Sequence, residues 1–314
     1  MASEAIISTL GGCVGCQAAV EHMQKQIPDC LNLLTLVNYV FIACEGVIFE
    51  TKFFSVPRKI PITAYLEIIM IYFIVSACNN YALKFDVYFP LFIVFKSSSL
   101  LFHMILRNRI LGQYFNLKQV LTILIVSSGV VIFTLASYNP NKIQSQENLL
   151  WLRHIPFPPF VIGVSLLSIA VLLSSYLGIC QERLYQKYGP HAREVMTYVH
   201  FLSIPMFAIF GDDLSNAITA AHSSRNFIFF DIEFPVPSAW VILLISSFLN
   251  WICVNNVYRL SALTSSLNVN MVISLRKFIS LVISFAIFNN DFNILHLVGG
   301  IVVFLGTIMY THVF

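Results

Sequence analysis

The chain has 314 residues, of which 58% are hydrophobic and only 11% charged, against roughly 25% charged in soluble domains. With a mean hydropathy of +0.80, that composition excludes an ordinary soluble enzyme and reads as an integral membrane protein. A net charge of +3, with no basic tail after the last apolar segment, argues against nucleic acid as a partner.

Apolar segments of about 20 residues, each long enough to span as a helix, are expected near 4–22, 31–50, 62–81, 87–106, 117–137, 158–181, 192–211, 238–258, 264–288 and 293–313. Proline, glycine and polar clusters punctuate them: Pro28-Asp29, Pro57 and Pro61, Pro140, Pro158-Pro159, Gly189-Pro190 and Pro237. The first segment has Glu4 and no basic residue ahead of it, so it reads as a retained helix rather than a signal peptide. Cys13-x-x-Cys16 lacks a second ligand pair, and the cysteines read as small packing residues. The polar connectors are 138–155 and 211–237. In the second, Asp231-x-Glu233 beside Asp212-Asp213 reads as a solvated acidic loop; the rival meaning of Asp231-x-Glu233 is the metal site of a membrane-embedded sugar-phosphate transferase acting on a lipid.

Leaving aside Lys96, Arg276 and Lys277, ten of the remaining fifteen lysines and arginines lie in or at the edge of loops after even-numbered spans, among them Lys52, Arg58, Lys59, Arg107 and Arg183. By the positive-inside rule both termini are then cytosolic.

Self-similarity runs along the chain in order. Gln24-Lys25-x-x-Pro28 matches Gln186-Lys187-x-x-Pro190, Tyr39-Val40 matches Tyr198-Val199, Asn79-Asn80 matches Asn255-Asn256, and Lys96-x-x-Ser99-Leu100 matches Lys277-x-x-Ser280-Leu281. Five spans per copy is an odd number, so the copies enter the membrane from opposite sides. The expected fold is all-α, ten transmembrane helices in two inverted five-helix repeats, 1–138 and 158–314, joined by a lumenal connector at 139–157.

Three cations sit inside apolar spans: Lys96 in the fourth, Arg276 and Lys277 in the ninth. Each costs about 2.5–3.5 kcal/mol at mid-depth, and the spans hold few acids to balance them, so the missing partner is an anionic solute. Around Lys277 a polar stripe at helical spacing, Ser266, Asn270, Ser274 and Ser284, offers hydroxyls and an amide to phosphate and sugar oxygens. The fourth span offers Lys96, Ser97, Ser99 and His103. Asn79, Asn80, Asn255 and Asn256 suit a base, ribose or sugar, or serve as interhelical glue. Tyr39 is a candidate to stack on a base, or a packed residue. Glu45 is a candidate for a gating ion pair, or a neutral packing residue. No cofactor and no metal is expected.

CNNYAL (Cys78 to Leu83), FKSSSLLFHMIL (Phe95 to Leu106), SLRKFISL (Ser274 to Leu281), GTIMYT (Gly306 to Thr311), EGVIFE (Glu45 to Glu50) and the IxQExLYxKxGxH pattern from Ile179 to His191 closely resemble the nucleotide-sugar transporters of the drug/metabolite transporter superfamily. The nearest subgroup carries UDP-N-acetylglucosamine and UDP-xylose. The resemblance implies a Golgi or endoplasmic reticulum antiporter that brings a UDP-sugar into the lumen in exchange for UMP, with a homodimer left open. It assigns the phosphates to Lys96 and Lys277 and places Asn79-Asn80 near the nucleotide. The fourth span reads Lys-Ser-Ser-Ser where relatives tend toward Arg-Ser-Gly-Ser, which puts sugar selectivity in question more than phosphate binding. The GALNK string of GDP-mannose carriers is absent, which disfavours guanine. A cell-surface metabolite exporter of the same fold is the remaining alternative.

Overall fold

A computed structural model describes residues 11, 12, 15, 16, 19, 20, 23, 27, 30–82, 85, 96, 99–136, 159–229, 232–275, 279 and 294–313. Its helices are α1 (Leu31–Phe49), α2 (Ile62–Ala82), α3 (Ser99–Leu111), α4 (Leu117–Ala136) and α5 (Pro159–Tyr188). Next, α6 (Ala192–Ser203) passes through a 3-10 stretch, Ile204–Phe210, into α7 (Gly211–His222). The antiparallel strands β1 (Asn226–Phe229) and β2 (Ile232–Pro237) follow, then α8 (Ser238–Leu263), α9 (Ser266–Leu275) and α10 (Ile294–Val313). The described residues of the first expected span, such as Gly12 and Cys16, are helical.

Among the described residues, five stretches are long and apolar enough to cross a membrane: α1, α2, Val161–Tyr188, Ala192–His222 and α8. Leu117–Ile132, α9 and Leu297–Gly306 are shorter apolar helices. Leu244, Ile245 and Phe248 lie exposed on α8, and Ile301, Phe304 and Leu305 on α10, as a surface solvated by lipid requires. The chain is a helical membrane protein.

Two compact units divide it: Met1–Phe73 with Cys180–Ser265, and Ile74–Ile179 with Ser266–Phe314. Each draws on residues from both sequence halves.

In the first unit α1 packs on α6 and α8 around Met23, Leu33, Tyr39, Phe73, Phe207 and Leu243. The α1–α6 crossing depends on Gly46, where a Cβ would overlap the Thr197 hydroxyl and methyl. Gly12 meets α8 in the same way, since a Cβ there would lie 2.8 Å from Ile252 Cγ2. In the second unit α10 lies along α4, and each helix gives a glycine to the contact. A Cβ on Gly129 would sit 2.8 Å from the Val303 nitrogen, and one on Gly306 would sit 2.7 Å from Val126 Cγ2. Gly129 and Gly306 are thus where the two helices approach each other closely in this contact.

Residues 211–237 are not a plain polar loop. Asp212 and Asp213 fall in the first turn of α7, where acids complement the helix dipole, and Asp213 accepts a 3.0 Å bond from Asn32 Nδ2. Phe227 pairs with Phe234 across the hairpin. Pro205 lacks the N–H an α-helix needs at that point, and the seventh expected span accordingly turns 3-10 there before continuing.

Three loop cations also move. Arg107 lies inside α3 and is 5% exposed, while α5 carries Arg183 and Lys187 before Gly189 (φ +94°) ends it. Cys16 and Cys180 donate to Asn250 Oδ1 (3.7 Å) and Glu67 Oε1 (3.5 Å), as packing thiols do. Cys253 departs from that expectation because it is disulfide-bonded.

Candidate functional site

In the second unit, Lys96 is helical and half-buried, and its carbonyl accepts a 2.7 Å bond from Ser99 Oγ. One turn on, His103 is fully buried. Its Nδ1 lies 3.0 Å from the Ser175 carbonyl, which can only accept, so Nδ1 carries the proton. Nε2 then accepts from Ser266 Oγ at 2.8 Å. Ser266 Oγ in turn accepts from Arg107 Nη1 at 2.8 Å, and Arg107 Nε donates to Gln113 Oε1 at 2.6 Å. Arg107, Ser266, His103 and Ser175 therefore form one directed chain of hydrogen bonds joining α3, α9 and α5. Ser175 Oγ adds a 3.2 Å bond to the Ser99 carbonyl. Gly178 leaves room for the imidazole, since a Cβ there would come within 3.0 Å of His103 Cε1. The network holds the segment bearing Lys96 and Ser99 in place against α5 and α9.

On α9, Ser274 is 2% exposed and its Oγ has no hydrogen-bond partner, while Asn270 is half-buried. Ser266 serves the Arg107–His103 network. Ser97, Arg276 and Lys277, with Ser280 and Ser284, lie outside the described residues. On α2, Asn79 and Asn80 are half-buried, and Asn79 Oδ1 is buried without a partner.

In the first unit, Tyr39 is 3% exposed, stacked on Tyr72 at 5.5 Å and edge-on to His200 at 4.9 Å and Phe207 at 5.1 Å. His200 donates from Nδ1 to the Met196 carbonyl at 2.7 Å and accepts from the Tyr72 hydroxyl at 3.4 Å. Protein rings therefore surround Tyr39. Asn256 turns its Nδ2 to the Ile252 carbonyl at 2.8 Å, whereas Asn255 Oδ1 is buried and unsatisfied. Glu45 forms an ion pair with Arg193 on α6, and Arg193 Nε also lies 3.6 Å from Glu50 Oε2. Glu45 is thus paired across the α1–α6 contact, and its second oxygen is buried without a partner.

The adjacent Glu194 was silent in the sequence. Its Oε1 accepts from the Lys59 and Ile60 nitrogens at 3.0 and 3.1 Å and from the Tyr65 hydroxyl at 3.0 Å. That carboxylate ties the 51–61 loop to the start of α6. Only the Asp/Glu pattern near a helix start hinted at it, and nothing local named its partners.

Among the described residues no three His, Cys, Asp or Glu cluster as metal ligands, and Asp231 lies outside that set. The profile of the UAA transporter family matches residues 3–314. The chain belongs to the UAA transporter family. It is 36% identical to a zebrafish (Danio rerio) protein named UDP-xylose and UDP-N-acetylglucosamine transporter, over 96% of this chain and 91% of that one. It is 33% identical to the endoplasmic reticulum GDP-fucose transporter of Drosophila melanogaster, over 99% of this chain and 91% of that one. A solved crystal structure with 12% identity superposes with a TM-score of 0.70, covering 99% of this chain and 96% of the other, which speaks to the fold alone. A UAA transporter moves a solute and is not an enzyme, so the lipid-linked transferase considered from Asp231 and Glu233 falls away.

Proposed function

We propose that this UAA transporter carries nucleotide-sugars, exchanging a cytosolic UDP-sugar for lumenal UMP across the Golgi or endoplasmic reticulum membrane. UDP-N-acetylglucosamine is the first cargo and UDP-xylose the second. The similarity to the zebrafish protein over nearly the full length of both chains is the observation that carries this reading. The ten-span inverted-repeat fold, with repeats 1–138 and 158–314 and both termini in the cytosol, belongs to the same proposal.

In this reading Lys96 and Lys277 neutralise the phosphates, and Arg276 adds a bidentate fork. Ser97, Ser99, Asn270 and Ser274 complete the shell around the phosphate and sugar oxygens, and the asparagine pairs read the nucleotide or sugar. The partnerless Ser274 hydroxyl and Asn79 and Asn255 carbonyl oxygens support it, since polar atoms buried in a span without a partner are costly unless cargo satisfies them. Bound cargo supplies the negative charge facing Arg276 and Lys277, so the empty carrier reorients poorly and import is coupled to export. Glu45 with Arg193 is the gating pair.

A GDP-sugar is the second reading, favoured by the similarity to the fly protein. That relative stands nearly as close as the zebrafish one, so the missing GALNK string weighs little against guanine. Uptake of radiolabelled UDP-N-acetylglucosamine into proteoliposomes, competed with unlabelled UDP-xylose and GDP-fucose, tests the assignment. Competition by GDP-fucose alone would replace the first reading with the second. Fluorescence microscopy of the tagged chain distinguishes internal membranes from the cell surface.

A further inference from the structure

We infer that one face of α8 reads the nucleobase of the cargo and is built for a uracil-type imide; this rests on the nucleotide-sugar reading above. Trp251, Asn255 and Tyr258 stand at i, i+4 and i+7 of α8, so their side chains share one stripe of the helix. Trp251 Nε1, Asn255 Oδ1 and Tyr258 Oη are all buried, and none has a hydrogen-bond partner. Tyr258 is 4% exposed. Within a membrane span water is not at hand to satisfy such groups, so three orphans on one stripe mark a place kept for a ligand.

Elsewhere the helix shows no general shortage of partners. Ser247 donates to Asn38 Oδ1 at 2.8 Å, Asn250 Oδ1 accepts from Cys16, and Asn256 bonds back to Ile252. Ser246 Oγ is also orphaned but lies on another face. The Tyr258 ring stands 6.0 Å from His200, which itself packs against Tyr39 and Tyr72.

The order along the stripe is informative. An indole N–H only donates, an amide oxygen only accepts, and a phenol can do either. Donor, acceptor, donor complements the O2, N3–H, O4 edge of uracil. Cytosine and adenine set a ring-nitrogen acceptor against Asn255 Oδ1. Guanine satisfies the first two positions, but its amine makes Tyr258 an acceptor and leaves the phenol proton buried without a partner.

The test is the affinity of purified protein in detergent for UMP, 3-methyl-UMP and GMP, with the thermal midpoint recorded alongside. UMP should bind at least about tenfold more tightly than 3-methyl-UMP, whose N3 cannot donate. Asn255→Leu should weaken UMP about tenfold and change 3-methyl-UMP little, and Tyr258→Phe should weaken UMP about tenfold. Both should keep or raise the thermal midpoint, because they remove orphaned groups instead of structural bonds. Equal binding of UMP and 3-methyl-UMP overturns the inference. So do variants that lower the midpoint and leave the UMP preference intact, the signature of interhelical glue. Binding of GMP alone overturns it and leaves nucleotide-sugar transport standing, whereas no nucleotide binding with no UDP-sugar uptake contradicts the underlying reading too.

Discussion

Replacing Glu194 probes how the first unit is held together. Its Oε1 satisfies three donors, and two of them belong to Ile60, 1% exposed, and Tyr65, fully buried. Tyr65 is stacked on Tyr198 at 5.5 Å and cannot swing its hydroxyl to another acceptor without breaking that contact. Glu194→Ala therefore strands two buried donors at about 1–3 kcal/mol each, or roughly 2–6 kcal/mol, a large share of a typical stability of about 5–15 kcal/mol. Glu194→Gln keeps an acceptor oxygen, and Tyr65→Phe removes one donor while the carboxylate keeps two; each should cost about 1 kcal/mol. Thermal unfolding of the purified protein in detergent reads the order, with Ala far below Gln and Phe. Limited proteolysis of the 51–61 loop should accelerate for Ala alone. An Ala variant that melts with the Gln variant and resists protease would refute the clamp.

Gly46→Val drives a branched side chain into Thr197 and should cost about 1–3 kcal/mol; adding Thr197→Ala should restore part of the lost thermal midpoint. Lys52, Phe53 and Phe54 hold φ of 46°, 55° and 62°, so Phe53→Gly at this exposed turn should stabilise by up to about 1 kcal/mol, and a lower midpoint would deny the strain. Arg193→Glu faces Glu45 and Glu50 with a third carboxylate and should abolish uptake, while Glu45→Arg in the same chain should recover a measurable part of it. Lys277→Ala should abolish UDP-sugar uptake at unchanged expression, and wild-type uptake would reject its phosphate role.

Composition alone made the membrane class legible, because a chain with so few charges cannot dress a soluble surface. The bounds of α1, α2 and α8 follow from Pro28-Asp29, Pro61 and Pro237, which mark helix starts through local chemistry. Residues 211–237 misled because polar text in an apolar chain reads as loop, while the helix dipole that welcomes Asp212 and Asp213 and the Phe227–Phe234 pairing act at the level of structure. Arg107 counts by sequence as a loop cation, yet its hydrogen bond goes to Ser266, 159 positions away, and no local pattern announces such a partner. The same holds for Gly46 with Thr197 and for Glu194 with Tyr65. Of the candidate site, the sequence named Asn255 and Ser274 as polar groups in spans. That their oxygens lack protein partners, and that Trp251 and Tyr258 share this condition, required coordinates.

Obligatory exchange of an anionic nucleotide cargo is the central claim, and proteoliposomes preloaded with UMP test it most directly. Uptake of external UDP-N-acetylglucosamine should be strong with UMP inside, nearly absent in empty vesicles, and lost in the Lys96→Ala variant. Equal uptake with and without internal UMP, or a Lys96→Ala carrier as fast as the wild type, would contradict it.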